Sequence, residues 1–135
     1  MADKYRRIEK PLEAVPINEI RVKTNVGLGV YLKRVVDIFR KNENDPEFFV
    51  ILKGVSNSVE SVVKVGELAK HRIKGLHQIN KISNIAIDLE YEPLEEGLDY
   101  LKFTRIVPIL EIKLSKAPLD TQDIGYQPPI VESDV

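Results

Sequence analysis

Apolar and polar positions change period several times along the chain, and each change marks an element. Ile20, Arg21, Val22 and Lys23 alternate apolar with charged, as a half-buried strand does. Asn25 to Gly29, with two glycines, then supplies a turn. From Tyr31 to Lys41 the residues Tyr31, Leu32, Val35, Ile38 and Phe39 recur at threes and fours. That spacing predicts a helix with Lys33, Arg34, Asp37, Arg40 and Lys41 mostly outside. Phe48 to Leu52 is an unbroken β-prone run, short enough for a central strand buried on both faces. A second helix is predicted to start on the capping residues Ser56, Asn57 and Ser58. Its apolar stripe is Val59, Val62, Val63, Gly66, Ala69 and Ile73, with Glu60, Lys64, Glu67, Lys70 and Arg72 in solvent and Gly75 as the stop. Ile85 to Tyr91 alternates strictly, and Ile106 to Lys116 is rich in β-formers, so Pro93 to Asp99 between them is a hairpin tip. Pro108 has no amide to give a ladder, which predicts an edge stretch or a bulge.

Strand, helix, strand, helix, strand, strand is the order of an α/β protein of the α+β sandwich kind. It predicts a βαβαββ fold, a four-stranded mixed sheet with two helices on one face and an extended β-hairpin. A chain of 135 residues is long enough for one core. The expected organisation is an N-terminal arm over 1–16, a domain over 17–116 and an acidic, proline-containing tail over 117–135. The tail holds Gly125-Tyr-Gln-Pro-Pro129, which cannot continue a helix or strand, and is expected to fold back onto the domain or a partner.

Charge narrows the function. Twenty Lys and Arg against twenty-one Asp and Glu give −1, hardly the balance of a dedicated duplex binder. Residues 17–116 carry sixteen bases and fourteen acids, whereas 117–135 carry four acids and no base. Any nucleic-acid contact must therefore come from a local patch. No apolar run is long enough to cross a bilayer, no signal-peptide core is visible at the start, and there is no cysteine. An intracellular protein, nuclear or cytoplasmic and without membrane contact, is the expectation.

Candidate chemistry is sparse. His71 and His77 stand six apart across a helix end with no third ligand near, so no metal and no cofactor are expected. Asn25 to Gly29 lacks the third glycine of a dinucleotide-binding turn. The carboxylates Glu92, Glu95, Glu96 and Asp99 belong to a solvated tip rather than an acid/base pair. No nucleophile stands beside a base, so an enzyme is not expected. Lys33, Arg34, Arg40 and Lys41 are most simply a solvated helix face, and Lys64, Lys70, Arg72 and Lys74 a second one pairing with Glu60 and Glu67. Tyr31 and Phe39 are core residues before they are stacking platforms.

Several short signatures resemble the Alba family of small nucleic-acid-binding domains. They are Asn18-Glu-Ile-Arg-Val22, Lys70-His-Arg-Ile-Lys-Gly-Leu-His-Gln78, Glu92-Pro-Leu-Glu-Glu-Gly-Leu-Asp99, Leu114-Ser-Lys116 and the Gly125 to Pro129 segment. The hairpin is similar to plant and protozoan members. Thr104-Arg105, Val107-Pro108, Leu119-Asp120 and the tail are similar to the Alba-type subunit of ribonuclease P/MRP. The resemblance implies backbone contacts to RNA or DNA, made by two loops and the hairpin, in a homo- or heterodimer with another Alba-type chain. Carried over residue by residue, it points to Lys23, Asn25, Lys53, Asn57, Lys81, Lys102 and Arg105. The family's loops are usually more basic than these, and the tip here is acidic. Two readings therefore stand: a noncatalytic RNA- or DNA-binding protein, such as a ribonucleoprotein subunit, or an Alba fold repurposed for protein contacts.

Overall fold

In the computed structural model, which describes residues 5–7 and 16–131, two strand–helix units account for the first half. Strand β1 is Tyr5–Arg7, β2 is Glu19–Arg21, helix α1 is Leu28–Lys41 and β3 is Phe49–Val55. A 3₁₀ turn, Ser56–Ser58, leads into α2, Val59–Arg72. Long strands β4, His77–Pro93, and β5, Leu101–Ser115, follow, then a two-residue β6 at Tyr126–Gln127. The strand order is β1-β4-β5-β3-β2, with β6 on β4. The expected mixed sheet is thus present, but the four anticipated strands gain two short ones. One lies in the stretch read as an arm, the other in the tail. Positions 1–4, 8–15 and 132–135 of those segments lie outside the described residues.

Residues 15–83 with 108–135 make one compact unit, and residues 84–107 with the N-terminal stretch make another. In the first, β2 runs parallel to β3, and β3 antiparallel to β5. Alternation on β3 sends Val50, Leu52 and Gly54 to one face, where they meet Val35 and Phe39 of α1 and Val62, Val65 and Ala69 of α2. Leu52, Val62, Val65 and Leu114 have no exposed surface. Gly54 is required here, because a methyl group would lie 2.8 Å from the Ser58 carbonyl and overlap Val62. The opposite face carries Phe49, Ile51 and Lys53 beside Lys113 and Glu111 of β5.

Several local expectations change. Helix α1 starts at Leu28 rather than Tyr31, because Gly27 can serve as its first flanking residue without strain. On α2 the stripe is Val62, Val65, Gly66 and Ala69, while Val63 is 45 % exposed; it stands a full 100° around the helix from Val62. Ser58 makes no side-chain cap, since the 3₁₀ turn has already brought its backbone to φ −82, ψ −7, outside the extended geometry a cap needs. Lys70 is buried, not in solvent, because the tail covers it. Tyr31 and Phe39 are core, as expected. Gly75, at φ +82, follows the end of α2. Pro108 sits one residue beyond the last β3–β5 pair, Val55 with Ile109, so β3 asks no amide of it.

In the second unit, two side-chain contacts define the faces. Tyr91 and Phe103 meet edge to face with centroids 6.0 Å apart. Thr104 Oγ1 donates to Asp88 Oδ1 at 2.9 Å. Alternation then puts Ile85, Ile87, Leu89, Leu101 and Arg105 with Tyr91 and Phe103 on one side, and Glu90, Lys102 and Ile106 with Asp88 and Thr104 on the other.

Candidate nucleic-acid interface

Parallel strands followed by helices place their loops at one edge. Val22 donates its amide to the Lys53 carbonyl at 2.8 Å, and Arg21 is in register with Lys53. The loop after β2, with Lys23 and Asn25, and the 3₁₀ turn after β3, with Asn57, therefore leave neighbouring strands in the same direction. In such sheets this carboxyl edge is where ligands bind. Both helices begin there, and neither has a side-chain cap. Their first-turn amides carry partial positive charge and suit an anion. Lys23, Asn25 and Asn57 are exposed.

Two features hold this edge in shape, and periodicity alone shows neither. The buried ring of Tyr31 points its hydroxyl at the loop and accepts the Lys23 amide at 2.8 Å. Ser56 takes φ +54, a left-handed conformation costing a non-glycine residue about 1–2 kcal/mol, and this starts the 3₁₀ turn. Gly27 and Gly29 have nothing within 4 Å of where a side chain would begin, so the loop's end and the first turn of α1 have room for larger residues.

The expected cations do not all converge. The backbone of Lys53 is at this edge, but its side chain lies on the sheet face away from the helices, with Nζ 3.7 Å from Glu111 Oε1. Its charge is thereby partly offset. Lys81 is exposed on β4 beside Ile82. Lys102 and Arg105 point to opposite sides of the hairpin, because residues an odd number apart on a strand face oppositely. Residues 84–107 carry six acids and two bases, a net −4. Glu95, Glu96 and Asp99 are exposed around a turn at Gly97, φ +88.

The tail does fold back. Gly125 lies against Asn80 so closely that a side chain would overlap the Asn80 carbonyl, and its own carbonyl accepts the Asn80 amide at 2.9 Å. Tyr126 pairs with Ile79, and its hydroxyl is 2.8 Å from His77 Nδ1. Lys70 Nζ donates to the Pro128 carbonyl at 3.0 Å. Burial lowers the pKa of Lys70, and the nearby charge of Glu67 opposes that shift. Among the described residues no group of three or more His, Cys, Asp or Glu is placed to hold a metal, and no helix is long and apolar enough to cross a membrane.

A two-layer α+β domain with paired loops at the carboxyl edge of parallel strands is the architecture of a small binding module. The family model named Alba matches residues 18–85, half of the chain. The chain is 35% identical over 127 residues to the human ribonuclease P protein subunit p25-like protein, covering 88% of this chain and 74% of that one. It is 27% identical to the DNA/RNA-binding protein ALBA1 of Plasmodium falciparum over 95% of its own length, and spans only half of that relative. Alba from Thermoplasma volcanium shares the fold, with a TM-score of 0.50 and 22% identity, over 73% of this chain and 99% of that one. The chain belongs to the Alba family.

Proposed function

We propose that this chain is a noncatalytic nucleic-acid-binding protein, a backbone-gripping subunit suited to RNA, in a ribonucleoprotein of the ribonuclease P kind. The observation that carries the reading is the shared edge of β2 and β3, where two loops and two uncapped helix starts lie side by side. The names of the relatives support it. Lys23, Asn25 and Asn57 are its proposed contacts there, with Lys53 on the adjoining sheet face and Lys81, Lys102 and Arg105 as further ones. Such contacts bind without regard to sequence and weaken with salt, because phosphate neutralisation releases counterions. They suit RNA recognised by shape. A homo- or heterodimer with another Alba-type chain is part of the proposal; exposed Val63 and Leu68 on α2 are apolar surface a partner would cover.

The test is retention on single- and double-stranded RNA and DNA at rising salt, with Lys23→Glu and Lys53→Glu combined. The pair should weaken binding by about tenfold or more on every sequence. Unchanged affinity would remove the loops from the site. One observation favours a second reading, a subunit making protein contacts only: the −4 hairpin, with Phe103 44 % and Tyr100 69 % exposed. Absence of any nucleic-acid binding at low salt would select it.

A further inference from the structure

Among the described residues, helix α1 has more unpaired positive charge along its solvent side than the two loops have between them. Lys33, Arg34 and Lys41 surround an open cleft of about 390 Å³ with one acid, Asp37, and apolar lining residues that include the exposed Ile17 and Val30. A second cleft, of about 270 Å³, lies past the other flank of the helix. There Arg40 of α1, Arg72 at the end of α2 and Lys116 just after β5 come together around one acid, Glu43. Each cleft is therefore about +2. None of the six cations enters an ion pair among the described residues, whereas Lys53 and Lys64 are both paired.

Part of this charge has a local explanation. Arg40, Lys41 and Arg72 are in last turns, where they complement the helix dipoles. Lys33 and Arg34 lie nearer the start of α1, and Lys116 is in no helix, so the dipole does not account for them. Three like charges around a single acid repel one another, and an arriving anion relieves that repulsion. The fourteen residues of α1 span about 21 Å. That is the rise of roughly six nucleotides of one strand of B-form DNA at about 3.4 Å each.

We infer that the phosphate backbone of the bound nucleic acid lies along the solvent side of α1, held by Lys33, Arg34 and Lys41 in one cleft and by Arg40, Arg72 and Lys116 in the other. This rests on the nucleic-acid reading above and moves most of the interface from the loops to the helix. The acidic hairpin then needs no part in gripping a polyanion.

Fluorescence anisotropy of a labelled RNA hairpin of about 20 base pairs, titrated with the full chain at rising salt, tests it. Three sets are compared: Arg40→Gln with Arg72→Gln and Lys116→Gln; Lys33→Gln with Arg34→Gln and Lys41→Gln; and Lys23→Gln with Lys53→Gln. Each helix set should weaken binding at least tenfold near 50 mM salt. Each should also lower the slope of log affinity on log salt by about 2.7, at roughly 0.9 for each of three duplex phosphates no longer neutralised. Hydrogen exchange on the unmodified protein should show RNA protecting residues 30–43, a readout that depends on no variant's folding. Wild-type slopes in both helix sets, with weakening confined to the Lys23 and Lys53 set, would overturn the inference and leave the loop reading standing. Unmodified protein that binds polyglutamate but not RNA, or binds neither, would overturn both.

Discussion

The helix-bearing unit and the hairpin unit use similar residues to different effect. In the first, two helices on one sheet face bury Ile20, Val35, Val50 and Leu52 completely. Across residues 84–107, by contrast, Val107 is the one apolar side chain that is buried, and Ile106 is 72 % exposed. Among the described residues no second layer covers the apolar side of this hairpin, which leaves that side open to another molecule. Charge divides the same way. Residues 15–83 with 108–135 hold fourteen bases and twelve acids, whereas 84–107 hold two and six. The first unit can attract a polyanion locally; the second repels one.

The largest expected effect tests the packing half of this contrast. Leu52→Ala should cost about 2–5 kcal/mol in urea denaturation, because it empties a fully buried site. Phe103→Ala, which gives up one edge-to-face pairing on an open strand, should cost about 1 kcal/mol. Equal costs would mean that the hairpin has a core of its own.

Next comes the charge half. Gly29→Arg adds a cation at an open position in the first turn of α1, beside the first loop, and should raise RNA affinity severalfold, steepening the salt dependence by about one phosphate contact. Glu95→Gln with Glu96→Gln removes two exposed anions from the tip and should help less, and only at low salt where repulsion is least screened. A larger gain from the tip than from Gly29 would place the nucleic acid on the hairpin and reverse the comparison.

The smallest effect concerns the tail. The folded-state pKa of Lys70 lies below its unfolded value, so between the two the unfolded chain holds more protons and stability rises with pH. Below the folded pKa the burial penalty is fully present; above the usual lysine value it is gone. The urea midpoint should therefore climb slightly as pH approaches 10.5, and Lys70→Met should flatten that climb. An identical pH profile in the two proteins would show that Lys70 ionises as freely as in the unfolded chain.

Much of the fold is legible along the chain because burial periodicity is a local property. Tyr31, Val35 and Phe39 mark one helix face, Val62, Gly66 and Ala69 another, and the alternation from Ile85 to Tyr91 a strand. The opposite faces of Lys102 and Arg105 were equally available, since their odd separation is enough to part them. Local pattern cannot say what an element from elsewhere will cover. Lys70 has the spacing of a solvent residue and is buried by a segment 58 positions later. Val63 and Val65 differ only in which side of α2 meets the sheet.

The sequence alone determined the order of the main strands and helices, the absence of cysteine and the acidity of the hairpin, all carried by residue type and spacing. Tertiary structure decided which charges stand together. Parallel pairing of β2 with β3 sets Lys23 and Asn57 at one edge, register turns Lys53 towards Glu111, and the meeting of the ends of α1 and α2 with the residue after β5 brings Arg40, Arg72 and Lys116 around one cleft. Coulomb energy depends on distance in space, and residues 40, 72 and 116 become neighbours only when the core closes.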